Sequence, residues 1–88
     1  MTRKFKRDLK RVRSGQLGGR LQEYLQPVVQ LLVRDQALPP HNRDHPLTGE
    51  WHDCRDCHIR PDLVLIYRKP DVDTLELIRL GSHSVLGM

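Results

Sequence analysis

Residues 43–67 read RDHPLTGEWHDCRDCHIRPDLVLIY, and this stretch decides the fold. It ends in five consecutive apolar residues, Leu63 to Tyr67, a run of strand length that is typical of a strand buried on both faces. Ahead of this run lie the only Trp of the chain and three of its five His. Because imidazole titrates near neutral pH, the stretch combines groups that can transfer protons with a strand that can hold them in place.

The segment before this stretch begins with an amphipathic helix. Phe5, Leu9 and Val12 recur at helical spacing, with Lys and Arg between them. Thr2 is a suitable N-cap, and a Ser-Gly pair at residues 14–15 is expected to end the helix. The sequence therefore predicts one apolar stripe backed by a basic face.

A second, wider apolar pattern predicts another helix over roughly residues 20–35. Pro27 falls inside it and lacks a backbone donor, so we expect either a kink there or a helix that starts at Pro27. The Leu-Pro-Pro sequence at residues 38–40 ends this helix. The apolar face that it would bury has a central row, with three further apolar residues alongside. The central row is Leu21, Leu25, Val28 and Leu32, and the residues alongside are Tyr24, Val29 and Leu31.

The remaining chain predicts strands. Loose alternation suggests a half-exposed strand over residues 51–57, and a turn at 58–62 leads into the apolar run. A turn at residues 69–71 is expected to precede a strand over residues 75–80. Residues 83–88 are too few to assign, but they could form an edge strand. The prediction is a single α+β domain over residues 1–88, with two N-terminal helices packed on a three- to four-stranded, mainly antiparallel sheet.

Charge and composition restrict the classes of partner. The net charge is +4, and residues 1–13 hold seven Lys and Arg against a single Asp. Arg outnumbers Lys eleven to four, which suits phosphate and favours RNA, DNA or an acidic protein as partner. The alternative is a solvated helix with surplus charge. No segment approaches the ~20 apolar residues of a membrane span, and no signal-peptide pattern follows the charged start, so we expect a cytoplasmic protein.

Residues 54–58 match the Cys-x-x-Cys-His pattern of covalent haem attachment. That chemistry usually accompanies export, for which the sequence gives no signal. A zinc module at residues 52–58 would crowd its ligands into one extended segment without a distant second pair. We therefore expect Cys54 and Cys57 to fill strand positions as small apolar residues, and we predict no metal and no cofactor.

His45, His58 and His83 all lie at predicted strand ends or turns, and Asp62 follows a Pro that fixes its turn. Two imidazoles can act as general base and general acid at neutral pH. Cleavage of RNA by its own 2′-hydroxyl needs a proton acceptor, a proton donor and cations that stabilise the phosphorane, and it needs no cofactor. This residue set suits that reaction.

Taken together, the motifs resemble the YafQ branch of RelE-type bacterial toxins over nearly the whole chain, from about Phe5 to Leu86. The resemblance rests on Asp44-His45-Pro46-Leu47, Gly49, Trp51, Arg55-Asp56, His58, Pro61-Asp62, Leu65-Ile66-Tyr67, Arg79, Gly81 and His83. It implies a microbial-RNase-like fold and a toxin that cleaves messenger RNA in the ribosomal A site. It also implies a cognate acidic antitoxin, of the ribbon-helix-helix type.

The resemblance also implies roles for individual residues. His45, His58, Asp62 and His83 match the active-site residues of the family. His83 is the expected proton donor to the leaving 5′-oxygen, with Asp62 and His58 activating the 2′-hydroxyl and His45 contacting phosphate or sharing proton transfer. The expected RNA contacts are Arg79 near the scissile phosphate, together with Arg55, Lys6 and Lys10. The rival interpretation is a non-catalytic protein that binds ribosome or antitoxin.

Three departures from the family pattern matter. Leu63 stands where YafQ has a Trp after the Pro-Asp pair, and Gly87 stands where it has an aromatic residue, so two base-stacking rings are missing. Only four residues precede Phe5, so the N-terminal edge strand of the family is expected to be short or absent. That absence would leave one sheet edge exposed.

Overall fold

The secondary-structure elements follow the expected order of two helices and then the strands of a sheet. A computed structural model describes residues 1–15 and 17–87. Turns of 3₁₀ helix join the elements at Gly18–Arg20, Pro40–Asn42 and Gly49–Trp51. The helices and strands are α1 (Arg3–Arg13), α2 (Leu21–Val33), β1 (His45–Pro46), β2 (Arg55–Arg60), β3 (Leu63–Asp71), β4 (Thr74–Gly81) and α3 (His83–Leu86).

Both N-terminal helices form where the apolar periodicity predicts them. The Thr2 side chain accepts a hydrogen bond from the backbone N–H of Phe5 at 3.0 Å, which confirms the N-cap of α1, and Ser14 ends the helix. In α2, Pro27 is exposed and lies mid-helix, so the expected later start at Pro27 is wrong. The central row of the predicted apolar face of α2 is confirmed, because its four residues are buried: Leu21, Leu25, Val28 and Leu32. The three residues alongside, Tyr24, Val29 and Leu31, are only partly buried.

The four strands pair antiparallel in the order β1-β2-β3-β4. This arrangement confirms the predicted α+β class. The first predicted strand, over residues 51–57, is misplaced, because Gly49–Trp51 forms a 3₁₀ turn and β2 starts at Arg55. Strand β2 then continues through most of the expected 58–62 turn, with an irregular register between His58 and Arg60.

The turn expected at residues 69–71 is also wrong. Strand β3 runs on to Asp71 through Pro70, and the chain turns at residues 72–73. Proline is tolerated at this point because the register with β4 is interrupted between Arg68 and Asp71, so no regular ladder needs its missing N–H. Lys69 anchors the extended strand to α2 by donating to the Leu32 carbonyl at 2.7 Å.

The edge strand expected over residues 83–88 is instead the short helix α3, capped by the Ser82 side chain, which accepts from Val85 N–H at 3.2 Å. Met88 lies outside the described residues. Leu86 of α3 is buried against Val64 and Ile66 of β3. Strand β3 is therefore covered on both faces, as its continuous apolar run predicts, with helices α1 and α2 on one side and α3 on the other.

Within the described residues no strand precedes α1, which begins at Arg3, in keeping with the prediction of a short or absent strand there. The expected exposed edge is nevertheless wrong, because α1 and its N-cap cover the outer edge of β4. Four contacts replace a neighbouring strand: Thr2 N–H to Leu77 O (3.1 Å), Thr2 Oγ1 to Ile78 O (2.8 Å), Arg11 Nη2 to Leu80 O (2.9 Å) and Leu80 N–H to Asp8 Oδ2 (2.9 Å). These contacts satisfy edge groups that would otherwise be open to another chain.

No helix in the described ranges 1–15 and 17–87 has both the length and the apolar composition needed to cross a bilayer.

Candidate active site

The predicted catalytic residues come from three elements and the turn between β2 and β3. His45 lies on β1, His58 on β2, Asp62 in the β2–β3 turn, and His83 opens α3. The rings of His58 and His83 are 5.1 Å apart, centroid to centroid, with their planes tilted by 53°. The fold therefore joins two histidines that are 25 positions apart in the sequence.

His83 is held by Asp62. Its Nδ1 lies 3.1 Å from Asp62 Oδ1, and its backbone N–H donates to the same oxygen at 3.5 Å. The side-chain hydrogen bond from His83 lowers the pKa of Asp62, so this carboxyl group is ionised at neutral pH. A carboxylate at Nδ1 places the proton of a neutral His83 on that nitrogen and stabilises the doubly protonated ring, whose Nε2 proton can then be transferred.

His45 has a different environment. Its Nδ1 lies 2.7 Å from the Arg43 carbonyl oxygen and 3.1 Å from Asp56 Oδ1. Only the carbonyl contact has hydrogen-bond geometry, and Asp56 Oδ1 receives no hydrogen bond from any described residue. Both neighbours can only accept, so Nδ1 carries the proton and Nε2 of the neutral ring has a free lone pair. About half of the His45 side chain is exposed, so Nε2 can meet a substrate.

Asp56 is a site residue to which the sequence analysis gave no role. It is 2% exposed on β2, two positions before His58, so both side chains project from one face of the strand. Burial raises the pKa of Asp56, and the positive charge of His45, His58 and His83 acts in the opposite direction. The two-residue spacing of Asp56 and His58 was the available signal in the sequence.

Two predicted RNA-binding arginines are engaged within the protein. Arg79 is 20% exposed and binds Asp8 through Nε (2.7 Å) and Nη2 (3.2 Å). Arg55 donates from Nε to Asp44 at 3.2 Å, and Asp44 also accepts from the Tyr67 hydroxyl at 2.5 Å. These contacts tie the segment before β1 to the sheet, and they leave other guanidinium N–H groups of both arginines available.

The predicted lysine contacts lie on a separate surface. Lys6 and Lys10 are exposed on α1 and are one helical turn apart, so they share a face. Helix α1 packs on β4, which places this basic face beside the strand that leads to His83.

A groove lies beside the acid–base cluster. It is an open groove of about 790 Å³ between α2 and the Pro40–Asn42 turn, and His58 is the one cluster residue among those that line it. Arg60 stacks over the Tyr24 ring on this groove, with 4.4 Å between guanidinium carbon and ring centroid. The chemistry of the site therefore resides in an exposed cluster, as expected for a domain too small to enclose a deep cavity.

The two cysteines of the Cys-x-x-Cys-His pattern lie within the apolar core. Cys54 and Cys57 are both buried and belong to different apolar clusters, which agrees with their predicted packing role. Burial raises the pKa of Cys57 to about 12, so its thiolate, the form that ligates metals, is strongly disfavoured. Among residues 1–15 and 17–87, no three His, Cys, Asp or Glu side chains are grouped as metal ligands would be.

A four-stranded antiparallel sheet with α1 and α2 on one face and the short α3 on the other is the architecture of the RelE-like class of toxins. Within that class, the family model described as "Bacterial toxin of type II toxin-antitoxin system, YafQ" matches residues 1–88. The chain therefore belongs to the YafQ family of type II toxin–antitoxin toxins, as the sequence motifs predict.

Individual relatives agree with this assignment. A "Putative toxin YafQ" of Haemophilus influenzae is 44% identical over 59 residues, 64% of this chain and 58% of that protein, so the match spans less than two thirds of it. The "mRNA interferase toxin YafQ" of Escherichia coli K12 is 40% identical over 63 residues, 70% of this chain and 67% of the relative. The prediction of an endoribonuclease toxin is thus confirmed at the level of the family.

A solved structure supports the fold over a longer range. A chain of the crystal structure of the Escherichia coli DinJ–YafQ complex matches this one with a TM-score of 0.81 at 32% identity, covering 97% of this chain and 91% of that chain. The fold expected from the sequence is confirmed by this match.

Proposed function

We propose that this toxin cleaves messenger RNA bound to the ribosome by acid–base transphosphorylation at the cluster of His45, His58, Asp62 and His83. The observation that supports this most directly is the opposite environment of two histidines. His83 has an exposed carboxylate at Nδ1, which leaves its Nε2 as the nitrogen that faces a substrate with a proton to give, whereas His45 presents a free Nε2 lone pair. One is suited to be the acid and the other the base.

The proposed step balances without a cofactor. The 2′-hydroxyl of the RNA loses its proton to His45 Nε2, and its oxygen forms a bond to phosphorus. The bond from phosphorus to the 5′-oxygen breaks, and that oxygen takes the proton from His83 Nε2. The products are a 2′,3′-cyclic phosphate and a free 5′-hydroxyl.

We propose roles for three residues that differ from those implied by the family resemblance. Asp62 contacts His83 rather than a second base, so we assign it to stabilise the acid instead of activating the 2′-hydroxyl. The ring of His58 lies 5.1 Å from that of His83, centroid to centroid, so we assign His58 to share proton transfer with it. His45 becomes the principal base.

We propose that cations on two surfaces hold the substrate. The remaining N–H groups of Arg55 and Arg79 contact phosphates near the cut, and Lys6 and Lys10 contact ribosomal RNA. The partners proposed here are therefore messenger RNA, the ribosome and an acidic antitoxin of the ribbon-helix-helix type, and the proposed location is the cytoplasm. The missing rings at Leu63 and Gly87 leave base stacking to other groups in the ribosomal site.

The test is single-turnover cleavage of messenger RNA on programmed ribosomes. His83→Ala is expected to slow cleavage by about 10²- to 10⁴-fold, the usual contribution of one acid–base group. His52→Ala is the matched control, because His52 is exposed and its Nδ1 contacts only the Gly49 carbonyl among the described residues. Equal rates for wild type and His83→Ala would reject the assignment.

Product chemistry and pH give independent checks. The rate is expected to fall at low pH as the base is protonated and at high pH as the acid loses its proton, giving a bell. A substrate with a 2′-deoxy sugar at the cut should bind but resist cleavage, and chelator should have no effect. If wild-type protein binds ribosomes without cutting RNA, the non-catalytic alternative replaces this proposal.

A further inference from the structure

A buried carboxylate beneath the histidines takes no part in the steps above. Asp56 is 2% exposed and is the register partner of His45 across the β1–β2 pair. Its Oδ1 lies 3.1 Å from His45 Nδ1 and receives no hydrogen bond from any described residue. A carboxylate in such a position is unusual, because buried polar atoms are almost always satisfied.

Burial of this group works against folding. Burial raises the pKa of Asp56, which means that the folded state disfavours the ionised form. The charged groups that act on it are His45 on β1, His58 on its own strand, His83 on α3 and Asp44 before β1. The three histidines favour ionisation when protonated, and Asp44 opposes it. Residues that lower stability in this way concentrate at functional sites.

We propose that Asp56 is a positioning residue that acts through His45, which rests on the proposed function of His45 as the base. Its charge, 3.1 Å from Nδ1, favours the proton on that nitrogen, which donates to the Arg43 carbonyl, and so leaves the lone pair on Nε2. The same charge stabilises the imidazolium that forms when Nε2 takes the proton of the 2′-hydroxyl.

The second acceptor at Nδ1 does not make Asp56 redundant. The Arg43 carbonyl belongs to a residue with a left-handed backbone (φ 49°) in the connection before β1, whereas Asp56 is fixed in a paired strand. A neutral carbonyl also stabilises a developing positive charge less than a carboxylate does. Asp56 therefore has a charge effect on His45 that the carbonyl does not reproduce.

The cluster then contains two carboxylate–histidine pairs of different character. Asp62 is exposed and serves His83, while Asp56 is buried and serves His45. His83 is thus an internal control for any change made at Asp56, because its own carboxylate is untouched.

The first experiment reads the tautomer of each histidine by ¹⁵N-detected NMR of the full chain. In wild type, neutral His45 is expected as the Nδ1–H tautomer. In Asp56→Asn the Nδ1–H tautomer of His45 should lose part of its population, while His83 keeps its tautomer. This measurement needs no substrate, so it remains valid even if the chain does not cleave RNA. Wild-type His45 found as the Nε2–H tautomer would overturn the proposal, whether or not the variant folds.

The second experiment measures single-turnover cleavage on ribosomes. Asp56→Asn should lower the rate at saturating ribosome by about 10²-fold, the low end of a general-base contribution, with little change in half-saturating ribosome concentration. In a His45→Ala background the same substitution should cause no further loss. A further loss in that background, or an unchanged rate in the single variant, would show that Asp56 does not act through His45.

The stability of the variant separates positioning from a structural role. The pKa of Asp56 is higher in the folded state than in the unfolded state, so the ionised side chain lowers the free energy of unfolding. This loss is absent at a pH below the pKa of the unfolded state, and it grows as the pH rises through the pKa of the folded state. Asp56→Asn should therefore keep or raise the urea midpoint at pH 7, with no gain at acid pH. A large fall in the midpoint at pH 7 would mark Asp56 as structural and overturn the proposal.

Discussion

Replacing Asp8 by Asn tests how this domain closes its sheet without an N-terminal strand. Asp8 is 2% exposed on α1 and accepts four hydrogen bonds. They come from Arg79 Nε (2.7 Å) and Nη2 (3.2 Å), Arg11 Nη1 (2.9 Å) and the Leu80 N–H (2.9 Å). An Asn of the same size removes the charge and turns an N–H₂ group toward these donors.

The expected loss is large for a domain of this size. Removing one partner from a buried ion pair costs about 3–5 kcal/mol, because the other charge remains buried and uncompensated. A chain of this length is expected to be stable by about 4–13 kcal/mol in total. Asp8→Asn should therefore lower the free energy of unfolding at pH 7 by about 3 kcal/mol or more and release α1 from β4.

The dependence on pH follows from the charge of Asp8. Burial by itself raises the pKa of Asp8, but the bonds from Arg79, Leu80 N–H and Arg11 outweigh burial and lower it below its usual 3.8. The contribution of Asp8 to the free energy of unfolding is therefore complete at a pH above its pKa in the unfolded state, and it is lost as the pH falls through its pKa in the folded state. The difference between wild type and Asp8→Asn should shrink below about pH 4.

Urea unfolding, followed by circular dichroism at pH 7 and at acid pH, measures both quantities. Glu23→Gln is the control, because the Arg20–Glu23 pair is 3.6 Å long with side chains 70% and 65% exposed, and it should contribute less than about 1 kcal/mol. A loss below about 1 kcal/mol for Asp8→Asn, or a loss independent of pH, would refute the closure argument.

Two further predictions concern the basic helix and the end of β4. The double variant Lys6→Glu, Lys10→Glu should weaken ribosome binding and lower the slope of log K against log salt by about 2. Sedimentation with ribosomes across a salt series measures that slope. An unchanged slope would mean that this face of α1 is exposed to solvent and does not contact RNA. Gly81→Ala would place a Cβ 2.8 Å from Arg11 Nη2, displace that guanidinium and lower the free energy of unfolding by about 1–2 kcal/mol. Gly19→Ala is the control, because a Cβ at Gly19 would have no neighbour within 4 Å among the described residues and should leave the free energy of unfolding unchanged. Equal urea midpoints for the two glycine variants would contradict the close approach.

Local pattern predicted much of this fold. The helical spacing of apolar residues predicted α1 and α2, and the run from Leu63 to Tyr67 predicted the central strand, because periodicity follows from which side of an element is buried. The motifs around His45, His58, Asp62 and His83 predicted the family, which the match over residues 1–88 confirms. The limits of strands were less predictable, since Pro70 sits within β3 where the register is interrupted.

Contacts between distant residues were decided by the tertiary structure. In the sequence, Asp8 is the single acidic residue of a basic helix, and this context suggests an exposed position. In the structure Asp8 is buried, because the backbone N–H of Leu80 at the edge of β4 and the guanidinium of Arg79 both bind its carboxylate. Asp56 lies beneath His45 because β1 and β2 pair in one register out of several that the sequence permits. The contacting residues are 11 positions apart in the His45–Asp56 pair and 72 positions apart in the Asp8–Leu80 pair. Local spacing does not encode these contacts, because they form only when the strands pair in register and α1 packs on β4.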